Sequence, residues 1–575
     1  MPNEDVAMHV SRIVSRRGEK EYYSYLVRRS FRENGKVKHE TVANISKLPL
    51  AAIEAISLAL SKKAVVEAGS EFEITKSLKH GSVAFLSELA KSSGLIDCLG
   101  PSSKERDLIL ALIIAQSLKP SSKLAHVNYL SSTTLVDDLD LGELDSDRLY
   151  EALDYLLGQQ SAIEQKLVKS HIGEGSMLLY DLSSSYMEGS KCPLSRYGYS
   201  RDKKRGKLQI EYGVLAAKEG LPLAVKVFPG NTSDLSSFSS VVEDLKTTHN
   251  LTKIIIVGDR GMFSSANIDK LQQVDPSYLY ISALRSSQIR SLVEQGAIQL
   301  GLFDELDLLE ISVHPDYPGE RLVVCKNEEL GRKRSHDRNA LIEVATTRLD
   351  KLKVSVENGR IKDPGAIGRK VEAALSSTKM SKHIKVNVAT QYFDYELDQD
   401  SITKEAALDG IYVIRTTVDH KELNSAEVVE AYKNLANVER AFRSLKAIDI
   451  NVRPVRHYLE DRVRAHVFLC TLSAHLMHFA RQKLAPLTFR DTEPPTNTSP
   501  VAKKQVSASA KDKAARKVNN NGDEVLSLRA LFDNLDTLTR NVCRIKDTQV
   551  TFTKTTIPTQ LQRQAFELIG AKIPR

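Results

Sequence analysis

A chain of 575 residues is too long for one compact core, and a prior of about 150 residues per domain points to three or four folded pieces. Hydrophobic residues make up 41% and charged residues 27%, an ordinary globular composition that excludes a globally disordered chain. Lys and Arg outnumber Asp and Glu 81 to 73, a formal +8 that leans mildly toward a polyanionic partner.

Residues 9 to 45 alternate β-branched and aromatic residues with charges around Gly18 and Asn34-Gly35, which predicts a small basic β-meander within an N-terminal region, 1–75. From 76 to 172 the spacing turns helical, as in RDLILALIIAQSL and RLYEALDYLLG. Both regions offer groove-sized elements and are expected to bind DNA. At Ser176 the rhythm changes. MLLYDLS, KLQIEYGVLAA and PLAVKVFPG read as successive strands, followed by a helix from Asp234 to Leu245, the buried strand KIIIVGDRG, the helix SSANIDKLQQ and the strand SYLYISAL. The order βββαβαβ predicts an α/β fold with an RNase H-like core, first part 173–285. Strand-like pieces such as RLVVCKN and VNVATQYFDYEL, with one charged helical run from Asp337 to Lys353, predict a β-rich insertion domain at 286–408. The core resumes over 409–485 with DGIYVIRTTV, a helix from Ser425 to Lys446 and an apolar helix from Glu460 to Gln482. Residues 486–524, rich in Pro, Ser, Thr, Asn and Lys, read as a flexible basic linker before a C-terminal segment, 525–575.

Asp181 ends the run MLLYDLS and Asp259 follows IIIVG, so both carboxylates are expected at strand C-terminal ends, where an open α/β sheet places its ligand crevice. Either alone reads equally as a capping or turn aspartate. Glu439 is the third acid, on a helix where Tyr432, Leu435, Glu439 and Lys446 share one face. Three carboxylates without His or Cys ligands suit Mg²⁺ or Mn²⁺. Two such ions can activate a water or 3′-hydroxyl and stabilise a leaving 3′-oxygen. The five cysteines, Cys98, Cys192, Cys325, Cys470 and Cys543, form no CxxC pair, which argues against a zinc finger or disulfide framework. No secretory signal is visible and the most apolar stretch, Leu108 to Ala115, is far short of a membrane span, so a cytoplasmic protein is expected.

The segments YDLSSSYMEG, GYSRDKKRGKLQIEYGVLAAKEGLPLAVKVFPGNTSD, IIIVGDRGMFSSANI and YKNLANVERAFRSLKAIDINVRPVRHYLEDRVRAHVFL resemble the DDE transposases of bacterial insertion sequences. The similar class is insertion-sequence-four-like and cut-and-paste, with a β-strand domain inserted between the second and third acids. The resemblance implies a triad of Asp181, Asp259 and Glu439 holding two Mg²⁺ or Mn²⁺ ions. It also implies terminal inverted repeats and target DNA as partners, and a homodimeric synaptic complex. That family's pattern of Tyr, Arg, Glu and Lys falls on Tyr432, Leu435, Glu439 and Lys446, with leucine in place of the arginine.

Lys203, Lys204, Arg205 and Lys207, in the loop before the second core strand, and Tyr432, Arg440, Arg443 and Lys446 around Glu439 are the candidate DNA contacts, since phosphate neutralisation supplies most sequence-independent affinity. Each basic group also reads as a solvated loop or helix face. Arg453, Arg456, Arg462 and Arg464 are weaker candidates because acids stand near them, Glu188 is either a fourth acid or a salt-bridge partner, and His475 and His478 read as packing. A DNA-binding protein derived from a transposase, or an RNase H-like nuclease, are the alternatives.

Overall fold

The computed structural model describes residues 8–574 apart from 18–19, 34–35, 62–71, 174, 203, 233, 250, 252, 300–302, 496–498, 520 and 547. The chain forms two compact units, Met1–Ser77 with Arg540–Thr555, and Leu78–Thr539 with Thr556–Arg575.

In the first unit β1 (Met8–Arg17), β2 (Lys20–Glu33) and β3 (Lys36–Asn44) form an antiparallel meander. The turns expected at Gly18 and Asn34-Gly35 lie outside the described residues. Val27 of β2, Ile45 and Ile53 of the Leu50–Leu60 helix make a small core with Val10 and Tyr25. A second sheet joins β4 (Phe72–Lys79) to a hairpin near the chain's other end, so the unit is assembled from residues far apart in sequence. Phe72 and Phe552 meet edge to face at 5.6 Å and Arg544 pairs with Glu73 at 3.0 Å.

The second unit is built on a mixed sheet. Its strands are β5 (Met177–Tyr186), β6 (Gln209–Ala217), β7 (Pro222–Pro229), β8 (Ile255–Val257), β9 (Leu279–Ala283), β10 (Leu308–Ile311), β11 (Arg321–Lys326) and, after an intervening hairpin of β12 (Ile384–Ala389) and β13 (Tyr392–Leu397), β14 (Ile411–Thr416). The order is β10-β11-β14-β9-β8-β5-β6-β7, with β5, β8 and β9 parallel and every other neighbour antiparallel. All nine residues of β6 are buried, so the sheet is covered on both faces. On one face Phe238 of the Asp234–Thr247 helix lies 6.3 Å from Tyr180. On the other, Phe442 of the Leu435–Arg443 helix lies 5.9 Å from Tyr212.

The helices between Gly81 and His171 belong to this core. Every residue from Leu108 to Leu118 is buried, and Ser473 of the Glu460–Lys483 helix donates to the Ile113 carbonyl at 3.2 Å. Apolarity all round that helix thus reflects burial inside protein. Among the described residues no single helix is long and apolar enough to cross a membrane.

Two expectations need correction. Residues 286–408 are not β-rich. The helix Glu328–Glu357 dominates them, because Ile342, Ala345, Leu349, Leu352 and Val356 recur at helical spacing and pack on Ile367, Val371 and Leu375 of the Pro364–Ser376 helix. Meanwhile β10 and β11 extend the large sheet rather than forming one of their own. Nor are residues 499–519 a loose linker. Val501 is buried, its carbonyl accepts from Asn327 at 2.8 Å, and Ser507 both caps the Ala508–Arg516 helix and binds Asp491 through its backbone N–H (2.8 Å) and hydroxyl (2.7 Å). Side-chain hydrogen bonds anchor a segment whose composition lacks large apolar residues. Beyond it, β15 (Thr539–Ile545) and β16 (Thr551–Thr555) complete the first unit, while Phe532 and Phe566 flank Phe85 in the second.

Candidate catalytic and DNA-binding site

The acids are placed by strand register. In the parallel pair of β5 and β8, Leu179 faces Val257. Two residues further along β5 stands Asp181, and two residues past Val257, the last residue of β8, stands Asp259. Asp181 is not at a strand end as expected. It sits mid-strand because LSSSY continues the pairing with β6 through Tyr186 and Gln209. Its side belongs to the face of Ser183 and Ser185, since Ser185 shares a 3.0 Å hydrogen bond with the Tyr212 hydroxyl and Tyr212 packs on Phe442. Asp181 therefore looks toward the helix that carries Glu439. Its carboxylate accepts from the Leu182 N–H at 2.8 Å, and that of Asp259 from the Arg260 N–H at 2.7 Å.

The helix expected to run from Ser425 to Lys446 breaks at Asn434 into Ser425–Lys433 and Leu435–Arg443, then widens into a π-helical turn, Ser444–Ile448. Val438 is buried against the sheet while its neighbour Glu439 is exposed. Burial pushes the Tyr432 phenol up to about 12, aided by the negative charges of Asp259 and Glu439 and opposed by Arg260. The charges of the second and third acids are thus both felt at the Tyr432 ring.

Lys446 departs from expectation. It lies in the π turn, and its ammonium pairs at 2.9 Å with Asp202, whose side chain is 1% exposed. Arg453 also grips Asp202. Burial lowers the Lys446 pKa against the pull of Asp202. Among the loop cations, Lys203 lies outside the described residues, Lys204 approaches the Tyr186 ring at 6.0 Å, and Lys204, Arg205 and Lys207 are exposed. Arg440 and Arg443 are exposed as well and line a cavity of about 560 Å³ together with Arg481, Arg490 and Phe489.

A family profile described as "Transposase DDE domain" matches residues 175–476, more than half the chain, and one described as "IS1634 family transposase, N-terminal domain" matches residues 11–69. The chain belongs to the DDE transposases of bacterial insertion sequences. A solved structure of the piggyBac transposase synaptic complex with hairpin DNA is similar at 11% identity and a TM-score of 0.35, covering 79% of this chain and 77% of that one. No curated protein matches the sequence.

DDE transposase domains use divalent metal ions. In this transposase the oxygens of Asp181, Asp259 and Glu439 are the right donors for such hard ions. Among the described residues no three His, Cys, Asp or Glu side chains converge closely enough to hold a metal ion. Asp259, at 63% side-chain exposure, and Glu439 both stand in solvent, where they can turn toward one.

The remaining candidates sort by their partners. Glu188 pairs with Arg456 at 3.2 Å, Arg462 with Asp154 at 3.4 Å and Arg464 with Glu460 at 2.7 Å. His475 is buried with Nδ1 2.8 Å from the Pro222 carbonyl, and burial holds it neutral, with a pKa lowered to about 3. Sequence reasoning missed Asp202, Arg481 and Arg490. For Asp202 the signal was present, an acid inside an otherwise basic SRDKKRGK run. For the two arginines none existed, since their neighbourhood is tertiary.

Proposed function

We propose that this transposase binds the terminal inverted repeats of its element, hydrolyses DNA at the ends and joins the freed 3′-hydroxyls to target DNA. In this reading Asp181, Asp259 and Glu439 hold two Mg²⁺ or Mn²⁺ ions, and the core is RNase H-like. The strand order β7-β6-β5-β8-β9, three antiparallel strands and then two parallel to the first, supports that core. The observation that carries the reading is the Leu179–Val257 register of the parallel pair β5 and β8, from which Asp181 follows two residues on within β5 and Asp259 two residues past the end of β8.

Ions held there supply a lowered pKa for an attacking water or 3′-hydroxyl and charge stabilisation for the leaving oxygen. The chain's own part is positioning. β5 carries the first carboxylate, the segment leaving β8 carries the second, the Leu435–Arg443 helix presents the third, and the exposed Lys204, Arg205, Lys207, Arg440 and Arg443 neutralise phosphates. Tyr432, whose ring feels the charges of Asp259 and Glu439, is a candidate to meet the phosphate nearest them. The first unit, with its basic meander, is assigned to end recognition. The helices between Gly81 and His171 contribute less, since burial in the second unit occupies residues such as Leu108–Leu118. A homodimer acting in the cytoplasm completes the proposal. The test incubates purified protein with a plasmid carrying the gene and its flanking DNA. Cleavage at the element ends in Mg²⁺ or Mn²⁺, with binding but little cleavage in Ca²⁺, is expected. Full cleavage in EDTA contradicts it.

A further inference from the structure

A second polar cavity, of about 350 Å³, opens between the loop Pro120–Lys123 and the segment Asn451–His457. Its size falls within the roughly 300–1,000 Å³ of small-molecule sites and is too small for a duplex. Lys123 lines it and is 2% exposed, yet its ammonium has no hydrogen-bond partner among the described residues. On the same wall the Gln116 amide donates to the Ile450 carbonyl at 2.7 Å and leaves its own Oε1 without a partner there.

The cations around Lys123 are already answered. Arg453 is held by Asp202 and Arg456 by Glu188, and among the described residues lining the cavity there is no carboxylate. The lining adds hydrogen-bond donors in Ser122 and Asn451, the Ser121 hydroxyl being given to the Lys119 carbonyl at 2.9 Å. A buried ammonium without an anion is among the costliest groups a fold can carry. Burial does pull Lys123 down to about 8, so the lysine still carries its charge through most of the neutral range. His457 and His466 beside it are held neutral by burial and by that charge, and add no negative counterpart.

We propose that this cavity is an anion site outside the carboxylate site, taking the phosphate group of a nucleotide, either free or in an unpaired strand, on Lys123 with Ser122 and Asn451. A phosphate oxygen meets the orphaned ammonium, and a phosphate hydroxyl or sugar hydroxyl meets the orphaned Gln116 oxygen. The site needs no DNA cleavage, so its failure leaves the carboxylate reading untouched, and the reverse holds as well.

The full-length protein is titrated calorimetrically, in metal-free buffer at fixed ionic strength, with inorganic phosphate, thymidine monophosphate and a short single-stranded oligonucleotide. Binding of at least one probe, weakened tenfold or more by Lys123→Met and a few-fold by Ser122→Ala, is the expected result. Binding of inorganic phosphate or the monophosphate assigns the site to free ligands, and binding of the oligonucleotide alone assigns it to a strand. Lys123→Met replaces a buried charge by an apolar chain of similar length, and its melting temperature, at or above that of the parent, checks that it folds. Ser122→Ala, on the surface of the loop, serves should the first variant be unstable. No binding by any probe, or equal binding in both variants and parent, overturns the proposal.

Discussion

Replacing Asp202 by Asn keeps the side chain's size and removes the charge that two cations share. The carboxylate is 1% exposed, and Lys446 and Arg453 are 11% and 26% exposed. Removing one partner of a buried ion pair costs about 3–5 kcal/mol, because the other charge stays buried without an answer. Arg453 recovers some hydration at its exposed edge, which places the expected loss near the lower end, about 3 kcal/mol. At 1.4 kcal/mol per factor of ten, that is on the order of a hundredfold in a local opening equilibrium. The unfolding of so long a chain is not two-state, so hydrogen exchange is the better assay. Asp202 also accepts from the Tyr186 N–H at 3.3 Å, and Lys446 lies in the Ser444–Ile448 turn, so peptides covering both segments report the loss. Lys446→Met on its own removes one of the two cations and costs less. In the double variant the effects fall short of additivity by about 2 kcal/mol. Exchange in Asp202→Asn within twofold of the parent, or strictly additive variants, refutes a structural ion pair and returns Lys446 to the role of a free phosphate contact.

The same geometry ranks the DNA contacts: Arg443→Ala lowers the salt slope of DNA binding by about one, and Lys446→Ala changes it less, measured by gel shift at several salt concentrations. Glu164 tests a buried acid in the second unit. Burial raises its pKa from 4.5 to about 7, while its oxygen accepts from Val225 N–H at 3.0 Å and from Gln160 at 2.9 Å. A raised carboxyl favours the folded state when protonated, so its contribution is full below pH 4.5 and is lost as pH rises to about 7. Glu164→Gln keeps both hydrogen bonds and should gain about 3 kcal/mol relative to the parent between pH 4 and 8, followed by hydrogen exchange in peptides covering Gln160–His171 and Pro222–Pro229; a pH-independent difference contradicts the assignment.

Local pattern carried the sheet strands well, because a run such as IIIVG has nowhere to go but a buried strand. The family resemblance rested on such runs together with their flanking acids, and the profile match over residues 175–476 upholds it. What stayed hidden depends on partners distant in sequence. β11 pairs with β14 across an insertion of more than eighty residues, so RLVVCKN could not declare that it extends the main sheet. The break at Asn434, the π turn at Ser444–Ile448 and the Asp202 partner of Lys446 interrupt a helix that ideal periodicity drew straight through Lys446. Composition misled at 499–519, where Asp491 and Asn327 hold polar chain in place of an apolar core. Nothing in the local sequence marks Lys123 for burial, which follows from packing between distant segments.

The central claim is that three acids act together as metal ligands. Its most direct test scores end binding and strand cleavage separately for Asp181→Asn, Asp259→Asn and Glu439→Gln on labelled DNA carrying the element end. Each variant should lose cleavage by orders of magnitude and keep binding, and any pair combined should lose little more than one alone, since the three work as a unit. Near-parental cleavage by any one of them shows that its carboxylate does not hold the ions.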